Sequence, residues 1–117
     1  MSYLLLIVEP PEQRSARSPE VGRDLYDTMV RFADDLRARN VLVAAQSLAS
    51  TNEAVRVEVR EGERRIIDGP FAEAKEMVGG FFLLNCERED EAVAIAAECP
   101  AAQWCTVEVR RVAPCSD

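Results

Sequence analysis

The residues whose types suit chemistry are concentrated in one segment, from Asp68 to Gly80. Asp68 ends a strand-like run and precedes Gly69-Pro70, a pair that fixes a sharp turn and aims the carboxylate at the end of the sheet. A carboxylate held against an apolar wall can have a raised pKa and then acts as a general acid or base. Asp68 is therefore the candidate catalytic residue. Three carboxylates and the only lysine of the chain lie within nine residues: Asp68, Glu73, Lys75 and Glu76.

The same segment has the features of a ligand-binding loop. Phe71 is an apolar anchor that would hold the loop down. Gly79 and Gly80 lack a Cβ atom, so they allow the backbone to approach a ligand closely. The candidate ligand-binding residues are Asp68, Gly69, Pro70, Phe71, Glu73, Lys75, Glu76, Gly79 and Gly80.

A structural interpretation of these residues stays open beside the functional one. An aspartate before Gly-Pro often accepts hydrogen bonds from the backbone of its own turn. Glu73, Lys75 and Glu76 also fit a solvated face, and Lys75 could pair with either neighbouring glutamate. Charge clusters are more often structural than catalytic, so these residues alone favour a structural turn.

The composition excludes several kinds of site. The chain has no histidine, which excludes Ser-His-Asp and Cys-His catalysis and any histidine-ligated metal. Its four cysteines include no C-x-x-C pair, so we predict no metal site and no cofactor. Cys86, Cys99 and Cys105 are expected to be small buried apolar residues, and Cys115 is expected to be exposed.

Length and charge narrow the class of protein. The 117 residues suit a single domain over 1–117. A net charge of −7 and a pI of about 4.7 disfavour nucleic-acid binding. The longest apolar run, residues 3–8, is far shorter than the roughly 20 residues that span a bilayer, and no basic stretch precedes it as in a signal peptide. We therefore expect a cytoplasmic protein with no membrane partner.

Periodicity and turn residues predict the elements that must position the segment. A strand, a helix starting at Ser18-Pro19 and ending near Asn40, a strand, a hairpin, a strand, a helix and a strand follow one another. This order predicts an α+β fold of the ferredoxin-like β-α-β-β-α-β type with an extra hairpin arm. The predicted elements span 3–8, 18–40, 41–48, 55–60, 64–67, 81–84, 87–98 and 104–112.

The two central strands of this plan, Tyr3–Val8 and Phe81–Leu84, are apolar on both faces. Two helices cover only one face of the sheet, and an apolar patch of that size is rare on a soluble monomer. A second copy packed on the other face would cover it, which predicts a homodimer. The alternative is that loops 9–17 and 68–78 fold over this face, but their polarity favours the dimer.

The stretch Asp68-Gly69-Pro70-Phe71-Ala72-Glu73-x-Lys75-Glu76, followed by Gly79-Gly80-Phe81-Phe82, resembles the signature of the DGPF group of YCII-related (YciI-like) proteins. Weaker matches extend the resemblance over almost the whole chain, at residues 3–7, 90–92 and 107–110. The resemblance implies a dimeric α+β barrel in a small bacterial protein of unsettled biochemical role, with a pocket at the dimer. The His–Asp pair of the YciI branch has no counterpart here, because the chain lacks histidine.

Two functions follow from the residues and the resemblance. The first is a small-molecule site, catalytic or binding, in which Asp68 is the acid/base or ligand-orienting group. The second is a regulatory or protein-interaction module, because domains of this group occur alongside extracytoplasmic-function sigma factors. A third, oxygen-dependent chemistry without a cofactor, rests on fold analogy alone.

Overall fold

The computed structural model describes residues 2–116 and has an α+β fold, as predicted. Two short 3₁₀ turns, Thr51–Glu53 and Pro100–Gln103, connect its main elements. Those elements are β1 (Tyr3–Glu9), α1 (Pro19–Ala38), β2 (Leu42–Ser47), β3 (Val55–Arg60), β4 (Glu63–Asp68), β5 (Met77–Leu84), α2 (Glu89–Glu98) and β6 (Thr106–Arg111).

Four strands form one antiparallel sheet in the order β2-β5-β1-β6, and β3 pairs only with β4 in a separate hairpin. The sheet order is that of the ferredoxin-like plan, and β1 and β5 are its central strands, as predicted. Strand β5 is longer than expected, because it begins at Met77 rather than Phe81. Residues 100–103 form a 3₁₀ turn, so β6 begins only at Thr106.

Helix α1 begins and ends where the sequence predicts. The Ser18 hydroxyl accepts a hydrogen bond from the Val21 backbone N–H at 3.2 Å, and Pro19 occupies the first turn, where its missing N–H costs nothing. Asn40 follows the helix with a φ of 59°, the left-handed conformation that asparagine tolerates.

The core lies between the two helices and one face of the sheet. Leu5, Leu36, Leu84 and Cys99 are its largest fully buried side chains. The rings of Phe32 on α1 and Phe82 on β5 meet edge to face, with their centroids 5.4 Å apart.

The other face of the sheet carries apolar side chains that no helix covers. Leu4 lies beside Leu83 and Leu6 beside Phe81 across the β1–β5 pair, and all four are only half-buried. The chain is 19 Å thick in its shortest dimension, which corresponds to one helix layer on one sheet. We call this surface the open face; its residues are Leu4, Leu6, Val8, Phe81 and Leu83.

The β3–β4 hairpin differs from the prediction. The alternation of valines with charged residues predicts a half-buried strand, but Val55, Val57 and Val59 are each more than half exposed. The alternation reports an amphipathic strand correctly. It does not indicate whether the same chain supplies a surface that covers the apolar side. Residues 2–116 supply no such surface.

The cysteines follow their predicted burial with one exception. Cys86 and Cys99 are buried and Cys115 is exposed, whereas Cys105 is only half-buried. Burial raises the pKa of the Cys105 thiol to about 11, and the nearby carboxylate of Glu9 acts in the same direction. Within residues 2–116 no group of three or more His, Cys, Asp or Glu side chains is placed to hold a metal ion. None of the helices in that range is long and apolar enough to cross a membrane.

Thiol labelling tests this burial. We expect a maleimide or disulfide reagent at about pH 8 to modify one thiol per native chain, at Cys115, and all four after unfolding. Cys105 stays unreactive because its thiolate, the reactive form, is disfavoured. Cys115→Ser is the control, and it should abolish labelling of the native protein. Fast native labelling of that variant would show that a second thiol is open to solvent.

Candidate functional site

The structure divides the segment from Asp68 to Gly80 into two parts. Gly79 and Gly80 lie in the wall of a cavity between α1 and the sheet. The other candidate residues lie outside this wall: Asp68 ends β4, and the rest lie in the turn that joins the hairpin to β5.

The Asp-Gly-Pro-Phe turn anchors the root of the hairpin. The Gly69 N–H donates to the Ala54 carbonyl at 2.8 Å, and a Cβ atom on Gly69 would collide with the Thr51 carbonyl. The Gly69-Pro70 peptide bond is cis. Phe71 is buried, and the Arg56 guanidinium stacks 3.6 Å from the centre of its ring. Glycine and phenylalanine therefore have packing roles at these two positions.

The charged residues of the turn are exposed. Glu73 pairs with Arg56 at 3.2 Å rather than with Lys75, so the suggested pairing of Lys75 with Glu73 is wrong. Asp68, Lys75 and Glu76 face solvent, and their side chains form no hydrogen bond or ion pair with other residues of the range 2–116. Asp68 as an acid or base stays a prediction.

The cavity has a volume of about 450 Å³ and is mostly apolar. Helix α1 contributes Leu25, Met29 and Ala33 to its wall, and the helix-facing side of the sheet contributes Ile7 and Phe82. Its remaining lining residues include Tyr26, Val30, Ala45, Phe81 and Trp104.

An ion pair between a buried carboxylate and a partly exposed guanidinium forms the polar part of the wall. Glu9, at the end of β1, is only 6% exposed, and Arg14 Nε donates to its Oε1 at 2.6 Å. Arg14 Nη1 donates to the Leu48 carbonyl at 2.7 Å and Nη2 to the Gly79 carbonyl at 3.1 Å. A buried carboxylate is costly without a partner, so Arg14 is required at this position. Through its bonds to Leu48 and Gly79, Arg14 fixes the loop after β1 to the ends of β2 and β5.

Gly79 makes room for the ion pair, and Gly80 makes room for the neighbouring strand β2. Gly79 is the extra residue of a β-bulge, because the β1–β5 register shifts between Ile7 and Val8 at this point. A Cβ atom on Gly79 would collide with Glu9 Oε2 and lie against Arg14 Nη2. A Cβ atom on Gly80 would be 2.9 Å from the Gln46 carbonyl.

The rim of the cavity carries further charge. Arg37 Nη1 pairs with Asp34 Oδ1 at 3.0 Å on the exposed side of α1. Arg17 is half-buried in the wall, and its guanidinium forms no hydrogen bond or ion pair with other residues of the described range. The cavity therefore has a mostly apolar wall, and its polar groups include the buried carboxylate of Glu9 and the unpaired guanidinium of Arg17.

Glu9 and Arg14 are the site residues that the sequence reading missed. Glu9 ends a strand whose alternate residues Tyr3, Leu5 and Ile7 are buried. The two-residue period of a strand puts Glu9 on that same inward face, so an acid there was a detectable signal. The sequence contains no signal for Arg14, because the composition of a polar loop does not indicate which of its arginines points inward.

Sequence comparison matches the YCII-related domain to residues 1–116. The chain belongs to the YCII-related family. An uncharacterized protein of Rhizobium meliloti (strain 1021) is 33% identical over 102 residues, which cover 84% of this chain and 79% of that protein.

A solved structure shares the fold of this YCII-related chain. It is the 5-chloro-2-hydroxyhydroquinone dehydrochlorinase TftG of Burkholderia phenoliruptrix AC1100, in complex with 2,5-dihydroxybenzoquinone. The TM-score is 0.56, and the match covers 97% of this chain and 94% of the other. At 16% sequence identity the likeness shows the fold alone.

The buried ion pair should contribute strongly to stability. We expect Arg14→Met to lower the free energy of unfolding by about 2–4 kcal/mol, because it leaves Glu9 buried without a partner. The control is Arg88→Met, which removes two ion pairs between exposed side chains, with Asp90 at 2.9 Å and with Glu91 at 3.7 Å. It should change stability by less than about 0.5 kcal/mol. Urea denaturation at one protein concentration measures both, and equal effects would contradict the assigned burial.

The packing role of Gly69 is tested separately. We expect Gly69→Ala to cost on the order of 2 kcal/mol, because the added methyl group meets the Thr51 carbonyl. Gly22→Ala is the matched control, since a Cβ atom there has nothing within 4 Å and a helical alanine is favoured over glycine. A neutral Gly69→Ala in the same denaturation assay would mean that the turn does not need glycine.

Proposed function

We propose that this chain binds a small, mostly apolar organic molecule in the cavity between α1 and the sheet, with Glu9 accepting a hydrogen bond from it. The observation that carries the proposal is an apolar cavity of about 450 Å³ with a buried Glu9–Arg14 pair in its wall. Small-molecule sites have this form, with volumes of roughly 300–1,000 Å³ and a few polar groups that orient the ligand.

The chemistry of the wall defines the ligand class. Aliphatic and aromatic side chains such as Met29 and Phe82 suit a flat ring. Glu9 Oε1 is engaged by Arg14, whereas Oε2 lies beside Gly79 without a hydrogen bond to residues 2–116. An ionised carboxylate only accepts, so the ligand needs an O–H or N–H group at this end. The complex of TftG with 2,5-dihydroxybenzoquinone supports a ligand of this size in this fold.

Catalysis would use the same carboxylate. Glu9 is positioned to take a proton from the hydroxyl that it binds, which is general-base chemistry. Asp68, the acid or base predicted from the sequence, is a second candidate. It lies outside the cavity of its own chain, so it would reach a ligand only at a different site or across a dimer.

We also propose that a second copy covers the open face. Leu4, Leu6 and Val8 on β1 and Phe81 and Leu83 on β5 form one apolar surface on the side without helices. A twofold pair of chains would bury this surface on both copies at once. The regulatory alternative keeps this dimer but leaves the cavity without a ligand.

Filling the cavity tests the proposed site. We expect isothermal calorimetry to detect saturable binding of 2-naphthol to the wild-type chain, and Ala33→Phe to abolish it, because the new ring occupies the cavity. Ala94→Phe is the matched control, an alanine on the exposed side of α2. Circular dichroism checks that both variants fold. The proposal fails if wild type binds no naphthol or if both variants bind it equally.

A second comparison assigns the hydrogen-bonding group. We expect Glu9→Gln to weaken 2-naphthol binding at least tenfold, because a hydrogen bond to a charged group contributes about 1.5–3 kcal/mol. The affinity for 2-methoxynaphthalene, which has no donor, should not change. Asp68→Asn should bind both compounds as wild type does. If Asp68→Asn weakens binding and Glu9→Gln does not, Asp68 is the ligand-orienting group instead.

A further inference from the structure

The hairpin of residues 55–68, here called the arm, has one mostly apolar face and one mostly charged face. Val57 lies opposite Ile66 across the two strands, and Val55 and Val59 flank them on the same side. The same side also carries Asp68 opposite Val55 and Arg64 opposite Val59. All four apolar side chains are more than half exposed: Val55 is 56% exposed, Val57 61%, Val59 60% and Ile66 55%. The other side carries Arg56, Glu58, Arg60, Glu63 and Arg65, with the half-buried Ile67 opposite Arg56.

Several charged residues of the other side already have partners within one chain. Glu58 and Arg65 pair across the strands at 3.2 Å, and Arg56 stacks on Phe71 at the root. Solvent is therefore the proper environment of that side. The valine side presents four exposed large apolar side chains, and no part of residues 2–116 covers them.

The arm extends beyond the compact part of the molecule. The radius of gyration is 16.0 Å, compared with about 13 Å for a compact domain of this length. The molecule measures 46 by 42 by 19 Å, so the arm stays within the thickness of the slab and projects sideways from it. A two-stranded hairpin without further packing is marginally stable in water, so the arm needs a surface that another molecule supplies.

Charge and symmetry identify that molecule as a second copy of this chain. The chain carries a net charge of −7, and two such bodies repel each other. Residues 55–68 hold four arginines and four acids, so the arm is neutral and approaches an acidic body without net repulsion. The chain also has a second uncovered apolar surface, the open face. Twofold pairing gives every copy a partner for both surfaces, as isologous contacts require.

We propose that the arm is an intersubunit clasp, whose face of Val55, Val57, Val59 and Ile66 packs on the body of a second copy. This inference rests on the proposed homodimer and extends it, because the open face alone does not require the arm. It does not depend on a ligand in the cavity.

A new negative charge on each side of the arm tests the clasp. We expect Val57→Asp to raise the dimer dissociation constant at least tenfold in sedimentation equilibrium. Arg60→Asp, on the solvent side of the same arm, should leave it within a factor of three. If both variants dimerise as wild type does, the clasp is wrong and the open-face dimer stands. If wild type itself stays monomeric at all concentrations, the dimer and the clasp are both wrong and a different protein covers the arm.

An optical readout does not depend on a destabilising charge. Two variants in a Cys115→Ser background, Val59→Cys and Arg60→Cys, are each labelled with an environment-sensitive fluorophore. The two labels lie on opposite sides of the arm. We expect a blue shift with rising protein concentration for the label at position 59 and none at position 60. Equal emission at the two positions in the dimeric range would overturn the proposal.

Discussion

A carboxylate excluded from water must be matched by a positive group, and this constraint organises one end of the molecule. Glu9 lies on the buried side of β1, so the loop that follows has to return Arg14 to it. The same guanidinium donates to the carbonyls of Leu48 and Gly79. One side chain thus fixes a loop to three strands. The cavity beside α1 is defined on this side by that ion pair, which gives an otherwise apolar space its polar group.

The glycines of the segment from Asp68 to Gly80 have different packing roles. Gly79 leaves room for the ion pair, and Gly69 leaves room for the Thr51 carbonyl at the root of the arm. Phe71 is buried beneath Arg56 and joins the arm to the body. In the segment from Asp68 to Gly80, the first residues pack at the root of the arm, and only Gly79 and Gly80 border the cavity. A distinctive motif marks a demanding local geometry, and that geometry need not be a catalytic one.

The sequence predicts the α+β fold, the order of the elements and the central position of β1 and β5, because hydrophobic periodicity and helix caps are local signals. Of the cavity wall it predicts Gly79 and Gly80, but not Glu9 or Arg14. The pairing of Glu9 with Arg14 depends on how a loop closes, which periodicity does not encode. The exposure of Val57 was missed for a related reason: an alternating pattern identifies an apolar side without identifying the surface that covers it. Cys105 likewise proved only half-buried, at the edge where β6 begins later than expected.

The central claim is that a ligand is held beside Glu9 and Arg14, away from Asp68. Titration of isotope-labelled protein with 2-naphthol, followed by amide chemical shifts, tests it most directly. The account predicts saturable shifts at Gly79, Gly80 and Ala33, with residues 68–76 unaffected. Shifts confined to residues 68–76, or none at all, would contradict it.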